Sequence, residues 1–281
     1  MKQKMSKRLI ALALLAAAGA AQAATSLHNG DFAFTGVNGN TTVGGWSFVA
    51  FVDITAGTTI YFTDTNVLQT PTSSGVFSTT AETFWSWTAA RDVAAGTSVA
   101  LLGTGVNGQY AARSGAAGGT ANGTVTNLNG GASNISSGGD VLYAYQAASY
   151  AANYQPSAIT FLGAISNRTT PFASSDNPAG AGLSGIQLRD YRIDAATATR
   201  YTQFTKQVTS SDTPYASLAE LKSALAVNGN WTTVAASNTT PIVSDVLAAA
   251  PVTAVPEPSS YALLLAGLGV VGTIARRRRT D

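Results

Sequence analysis

The chain has 281 residues, of which 45% are hydrophobic and 11% charged, and it contains no cysteine. That length is enough to bury a full core, while the missing cysteines exclude disulfides, thiol catalysis and cysteine-held metals. Eight of the 16 basic residues sit at the two ends, which leaves eight basic against 13 acidic residues in 24–258, a net charge near −5. The remaining basic residues are spread singly, so no nucleic-acid surface is expected.

Lys2, Lys4, Lys7 and Arg8 precede an apolar run from Leu9 to Ala21, which closes on Ala21-Gln22-Ala23. A basic start, an apolar segment and small residues at Ala21 and Ala23 predict a secretory signal peptide over 1–23, cut after Ala23. His28, the single histidine, then falls close to the new N-terminus, where a chain is expected to fray.

Residues 24–234 read as a mainly β ectodomain. Gly30 to Asn40 and Trp46 to Val52 have the apolar character of short strands parted by a Gly/Asn turn. Asp53 to Asp64 contains an Ala-Gly turn and a strand of β-branched and aromatic residues at Thr58 to Thr63. The pattern Asp-Ile/Val-x-Ala-Gly-Thr-x-Ile/Val returns at Asp92, 39 residues after Asp53. Two copies are too few for a solenoid or propeller and fit two similar corners of one sandwich. Each Asp is expected to accept hydrogen bonds from its turn's amides. Between the copies, Thr83 to Thr88 alternates as a strand.

Residues 103–139 are low in complexity and read as a long mobile loop with one strand at Gly123 to Leu128. Further strands are expected at Asp140 to Gln146, Ser157 to Ile165, Ile186 to Tyr191 and Ala198 to Phe204, with a Pro/Gly/Ser loop over 168–185. Ser217 is an N-cap with Glu220 three residues on, and Leu218, Leu221 and Leu225 share one face, so a helix is expected there. Asn228-Gly229-Asn230 ends it and Trp231 packs back. Residues 235–254 read as a linker.

The last segment, 255–281, combines Val255-Pro256-Glu257-Pro258, an apolar run over 260–275 and the four arginines Arg276, Arg277, Arg278 and Arg279. From Tyr261 to Ala275 a helix would reach ~22 Å, slightly short of the ~30 Å hydrocarbon layer, with Tyr261 and Arg276 at the two interfaces. The arginines act as a cytoplasmic stop, leaving the body outside. This tail resembles the PEP-CTERM sorting signal of Gram-negative bacteria. The resemblance implies an exosortase as partner, transient anchoring in the inner membrane, and cutting at or near Pro256-Glu257-Pro258. It also implies release to the cell surface or extracellular matrix of bacteria that make exopolysaccharide and biofilm.

The body resembles secreted bacterial lamin-tail-like domains. The resemblance rests on Gly30 to Gly36, Phe48 to Phe62, Phe84-Trp85-Ser86-Trp87-Thr88, Gly139 to Gln146, and Leu218-Ala219-Glu220-Leu221 to Trp231. It implies an Ig-like β-sandwich with one short helix. Such domains often carry Asn-Gly-Trp after Phe-Thr-Asp, where this chain has Thr65-Asn66-Val67.

The candidate chemistry is sparse. Without His clusters or a Gly-x-Ser-x-Gly elbow, neither a zinc site nor a serine triad is expected, and the chain reads as non-enzymatic. Asp31, Asp53, Asp64, Asp92, Asp140, Asp176, Asp190 and Asp194 read as turn and loop residues. No spacing pairs two of them for glycoside hydrolysis. No cofactor is expected, though the oxygen-rich turns Asp64-Thr65-Asn66 and Asp176-Asn177 would suit calcium. Trp85 with Trp87, and Tyr143 with Tyr145, each share a strand face, which offers either core or a carbohydrate platform. The two readings differ in exposure.

Overall fold

The repeated turn-and-strand text builds the centre of the molecule. The computed structural model describes residues 23–39, 44–72, 75–77, 82–115, 119–129, 135, 140–149, 159–166, 181–190, 199–204, 215 and 217–235. The chain divides into two units, Met1–Ala249 and Ala250–Asp281, and every described residue lies in the first.

One sheet has seven strands. It contains β1 (Phe32–Asn38), β2 (Gly45–Ala50), β7 (Ser98–Gly103), β8 (Tyr110–Ser114), β9 (Thr120–Ala121), β14 (Thr199–Phe204) and β15 (Trp231–Ala235), in the order β15-β14-β1-β2-β7-β8-β9. The other has six. It contains β3 (Thr59–Thr63), β6 (Phe84–Thr88), β10 (Thr124–Asn127), β11 (Val141–Ala147), β12 (Ile159–Ser166) and β13 (Leu188–Asp190), in the order β10-β6-β3-β11-β12-β13. All these pairings are antiparallel except β12 with β13. A separate hairpin pairs β4 (Val67–Thr72) with β5 (Gly75–Phe77).

Alternate side chains of the two sheets interleave in a sandwich-like core. Trp46 and Phe48 of β2 meet Phe62, Trp85 and Trp87 across it, with Trp46–Phe62, Trp46–Trp85 and Phe48–Trp87 ring centroids 5.2, 5.3 and 5.4 Å apart. The outer faces are covered as well. On the six-stranded sheet, Tyr61, Phe84, Tyr143 and Tyr145 pack under Val67, Val76 and Phe77 of the hairpin. On the seven-stranded sheet, Ala33, Val49 and Phe51 pack under Leu221, Ala224 and Leu225 of helix α1 (Leu218–Ala226). Burial on both sides is why these strands read as continuous apolar runs instead of alternating ones.

The two repeat copies form a pseudo-twofold pair. β2 runs into β3 through one corner, and β6 runs into β7 through the other. β2 pairs with β7 while β3 pairs with β6, so each copy supplies one strand to each sheet. The registers obey the same relation: Trp46 faces Leu101 as Trp85 faces Phe62, and Phe48 faces Val99 as Trp87 faces Ile60. The repeat therefore begins at Trp46-Ser47 and Trp85-Ser86, ahead of the aspartates that first reveal it.

At the corners, Ile54 and Val93 exchange backbone hydrogen bonds of 2.9 and 2.8 Å. The Asp53 carboxylate accepts from Ala95 N at 2.8 Å, and Asp92 accepts from Ala56 N at 2.8 Å. Each aspartate thus holds the other copy's turn, not its own as the sequence pattern suggests. Gly57 and Gly96 sit in the two turns at φ of 86° and 81°, a left-handed conformation that glycine adopts without steric cost.

Three other expectations change. Residues 103–139 contain β8, β9 and β10, not one strand in a mobile loop. Ala, Thr and Arg form these strands because edge pairing satisfies their backbone, and only alternate residues of β8 are buried. The segment after Ala23 is not frayed. Gln146 accepts from Leu27 N at 2.7 Å and donates to Thr25 O at 3.1 Å, while Thr25 N donates to Thr58 Oγ1 at 2.8 Å. The hairpin β4–β5 has no counterpart in the sequence reading. The helix is as expected: Ser217 caps it, accepting from Glu220 N at 3.2 Å, and Trp231 donates to Leu225 O at 3.1 Å.

Candidate functional site

The aromatic pairs settle first. Trp85, Trp87, Tyr143 and Tyr145 are each 0% exposed. Trp85 and Trp87 lie between the sheets, and their indole N–H groups donate to Gly108 O and Asn122 O at 3.2 and 2.7 Å. Tyr143 and Tyr145 lie on the outer face, beneath the β4–β5 hairpin. The carbohydrate-platform expectation is corrected for all four, because a sugar cannot stack on a ring that other side chains already cover. Among the described residues the large hydrophobic side chains left exposed are Val106 and Val227, and neither is aromatic.

His28 is 76% exposed, with its imidazole 3.5 Å from the Asp31 carboxylate, which also accepts from His28 N. That is a surface turn. Asp31, Asp53 and Asp92 all serve turns, while Asp176 and Asp194 lie outside the described residues. Among the described residues, no three His, Cys, Asp or Glu side chains converge as a metal centre.

Asp64 and Asp140 behave differently. They are 3% and 7% exposed, although both directly border exposed-looking turn text. Asp64 follows β3, and the strand alternation that turns Ile60 and Phe62 inward turns Asp64 inward too. Asp140 precedes β11 on the face of Leu142 and Ala144, which is also the inner one. Thr83 precedes β6 on the face of Trp85 and Trp87; its amide donates to Asp64 Oδ1 at 2.9 Å. Tyr110 closes the same end from the facing sheet, 4.6 Å from Trp46 and 5.7 Å from Trp85 between ring centroids.

Burial pushes the Asp64 carboxyl up to about 8, with Asp140 and Glu82 adding like charge and two backbone amides opposing. Burial also raises the Tyr110 phenol, with a smaller contribution from Asp64. The buried hydroxyl of Thr83 and indole N–H of Trp46 have no hydrogen-bond partner. No sequence signal joins Asp64 to Asp140, because 76 residues separate them and only the β3–β11 pairing brings them together.

The sorting residues Val255, Pro256, Glu257, Pro258 and Arg276 to Arg279, the apolar run 260–275 and Ala21 all lie outside the described residues. Among the described residues no helix is long and apolar enough to cross a membrane. Residues 254–279 match the PEP-CTERM protein-sorting motif. The chain carries a PEP-CTERM signal. Such a signal marks an exported protein that is anchored transiently at a membrane and processed by an exosortase. No curated protein and no solved structure matches the chain.

Proposed function

We propose that this PEP-CTERM protein is a non-catalytic structural or adhesive component of the cell surface or extracellular matrix of a Gram-negative bacterium. The match over residues 254–279 carries the reading, because it supplies an export route and a processing enzyme. In this account the signal peptide over 1–23 opens export, and the PEP-CTERM helix holds the chain in the inner membrane. Exosortase cutting near Pro256-Glu257-Pro258 then frees a sandwich of low charge. Exopolysaccharide or biofilm matrix is its expected surrounding. Support from the body is compositional: residues 24–258 are weakly acidic and rich in Ser, Thr, Asn and Gly, as suits a hydrated polymer phase.

Intact-mass analysis of the protein from cells and medium, with and without the sorting protease, tests the route. The expected mature species begins at Ala24 and lacks Arg276 to Arg279. A full C-terminus in both strains overturns it. Retention of the processed protein in isolated matrix tests the role, and uniform recovery as a freely diffusing species overturns that part.

A further inference from the structure

We infer that the folded body guards its own signal-peptide cleavage site, so that the cut after Ala23 has to come before residues 23–29 dock. The inference rests on the reading of 1–23 as a signal peptide. Residues 23–29 form a strap laid over the first repeat corner. The Thr55 hydroxyl donates to Ala23 O at 2.8 Å, and that oxygen belongs to the bond to be cut. Two residues on, Thr25 N donates to Thr58 Oγ1 at 2.8 Å, Thr55 N to Thr25 Oγ1 at 2.9 Å, and the Thr25 hydroxyl to Asp53 O at 3.1 Å. Gln146 of β11 holds the next stretch through Leu27 N and Thr25 O. Leu27 is 1% exposed in the core between the sheets, and Asn29 Nδ2 donates to Gly182 O at 3.2 Å.

These contacts conflict with proteolysis. To hydrolyse the Ala23–Ala24 bond, a peptidase draws the Ala23 carbonyl oxygen into its own donors. Water then adds at the carbon, leaving a carboxylate on Ala23 and an amine on Ala24. In the folded chain Thr55 already holds that oxygen. With Leu27 buried, four residues at ~3.3–3.6 Å each let Ala23 move no further than about 14 Å from Leu27. Ala23 and Ala24 are exposed, but the backbone on either side of the bond is held against the body. Cutting of the folded chain therefore waits for the strap to lift, at a rate that follows the population of the open form. A chain cut during export docks its strap afterwards; one that folds first stays tethered by its N-terminus.

The repeat supplies an independent argument. Aligned, its two copies set Thr58 against Thr97 but Thr55 against Ala94. The second corner forms the same turn with an alanine there: Thr97 N donates to Ala94 O at 3.0 Å as Thr58 N donates to Thr55 O at 3.1 Å. The corner itself thus does not need the Thr55 hydroxyl. That hydroxyl makes its shortest contact to Ala23 O, ahead of Thr25 Oγ1 at 3.2 Å and Thr58 Oγ1 at 3.3 Å. Thr55 departs from the repeat at the position that holds the strap.

Full-length precursor in mild detergent, treated with purified signal peptidase and followed by intact mass, tests the order. Precursor diluted from urea at time zero should lose residues 1–23 roughly tenfold faster, or more, than precursor folded beforehand. Folded Thr55→Ala should be cut about fivefold faster than folded wild type, the effect of one lost hydrogen bond on the opening equilibrium. Gln146→Ala, which frees Leu27 N and Thr25 O, should accelerate cutting by at least about as much. Ser223→Ala, on α1, should match wild type. Circular-dichroism melts identify the folded variants; if Thr55→Ala fails to fold, Gln146→Ala and the wild-type comparison decide. Equal rates for folded and freshly diluted wild type overturn the guard, as do folded strap variants cut no faster than wild type. No cut after Ala23 even in the freshly diluted chain overturns the signal-peptide reading, and the guard with it.

Discussion

Removing the Asp53 carboxylate tests the reciprocal corners most directly. In Asp53→Ala, Ala95 N loses its 2.8 Å acceptor; in Asp92→Ala, Ala56 N loses its own. Both sites reach solvent, so water replaces part of each bond and the loss sits near the ~1 kcal/mol typical of an aspartate capping backbone amides. For a unit of this size ~1 kcal/mol corresponds to about 2–4 °C in melting temperature. The pseudo-twofold relation adds a sharper expectation: the two single variants should agree within about 0.5 kcal/mol. They should also couple, because both aspartates brace the same Ile54–Val93 bridge. The double variant should therefore cost less than the sum of the singles, by about 0.5 kcal/mol or more. Asp→Asn at either site keeps an Oδ1 acceptor and should recover most of the loss. Urea unfolding followed by tryptophan fluorescence gives all five values. Single losses that differ by more than ~1 kcal/mol, or strict additivity, would refute the reciprocal clasp.

Three further outcomes are expected. Gly123→Ala should cost at least ~2 kcal/mol by thermal melt, because φ there is +92° and a Cβ would lie 2.0 Å from Thr88 O. Leu221→Ala should cost about 2–5 kcal/mol and raise hydrogen exchange through α1, since Leu221 is wholly buried between the helix and the seven-stranded sheet; unchanged exchange would show that the helix does not depend on this contact. Stability should fall as pH rises from about 4 to about 8. The folded Asp64 carboxyl, facing Asp140, Glu82 and Tyr110, keeps a proton up to about 8 that the unfolded chain releases near 3.8. Its contribution is about 1.4 kcal/mol per pH unit at most and levels off above 8. Asp64→Asn should flatten that slope in urea titrations, and an identical slope would place the proton elsewhere.

Much of this architecture is legible in the residues. The helix was readable because Ser217, Glu220 and three spaced leucines state a cap and a face together. The two corners were readable because turn chemistry is local: Asp, Ala-Gly and Thr recur in fixed order. Which face an aromatic pair takes was not readable. Trp85 and Trp87 face the partner sheet while Tyr143 and Tyr145 face a hairpin, and with both faces covered the usual alternation between apolar and polar disappears. The hairpin is hidden in the sequence for the same reason, since its role as a cover exists only in three dimensions. Asp64 and Asp140 read as turn residues because a sequence shows that an acid stands at a strand end but not that neighbouring strands end beside it. The low-complexity text misled in the opposite direction, because small residues form adequate edge strands when a neighbour supplies the ladder.

The exchange of strands between the two repeat copies bears on how the molecule can be divided. Neither copy owns a complete sheet pairing: residues 45–63 lay one strand in each layer, and residues 84–103 supply the neighbour of each. The middle of the molecule is in effect a homodimer of two short segments joined by one covalent tether. A fragment ending before Phe84 keeps one strand of each central pairing and carries unpaired edges into solution. Cooperative unfolding should accordingly treat both halves as one unit, and a severed half should seek its complement in trans.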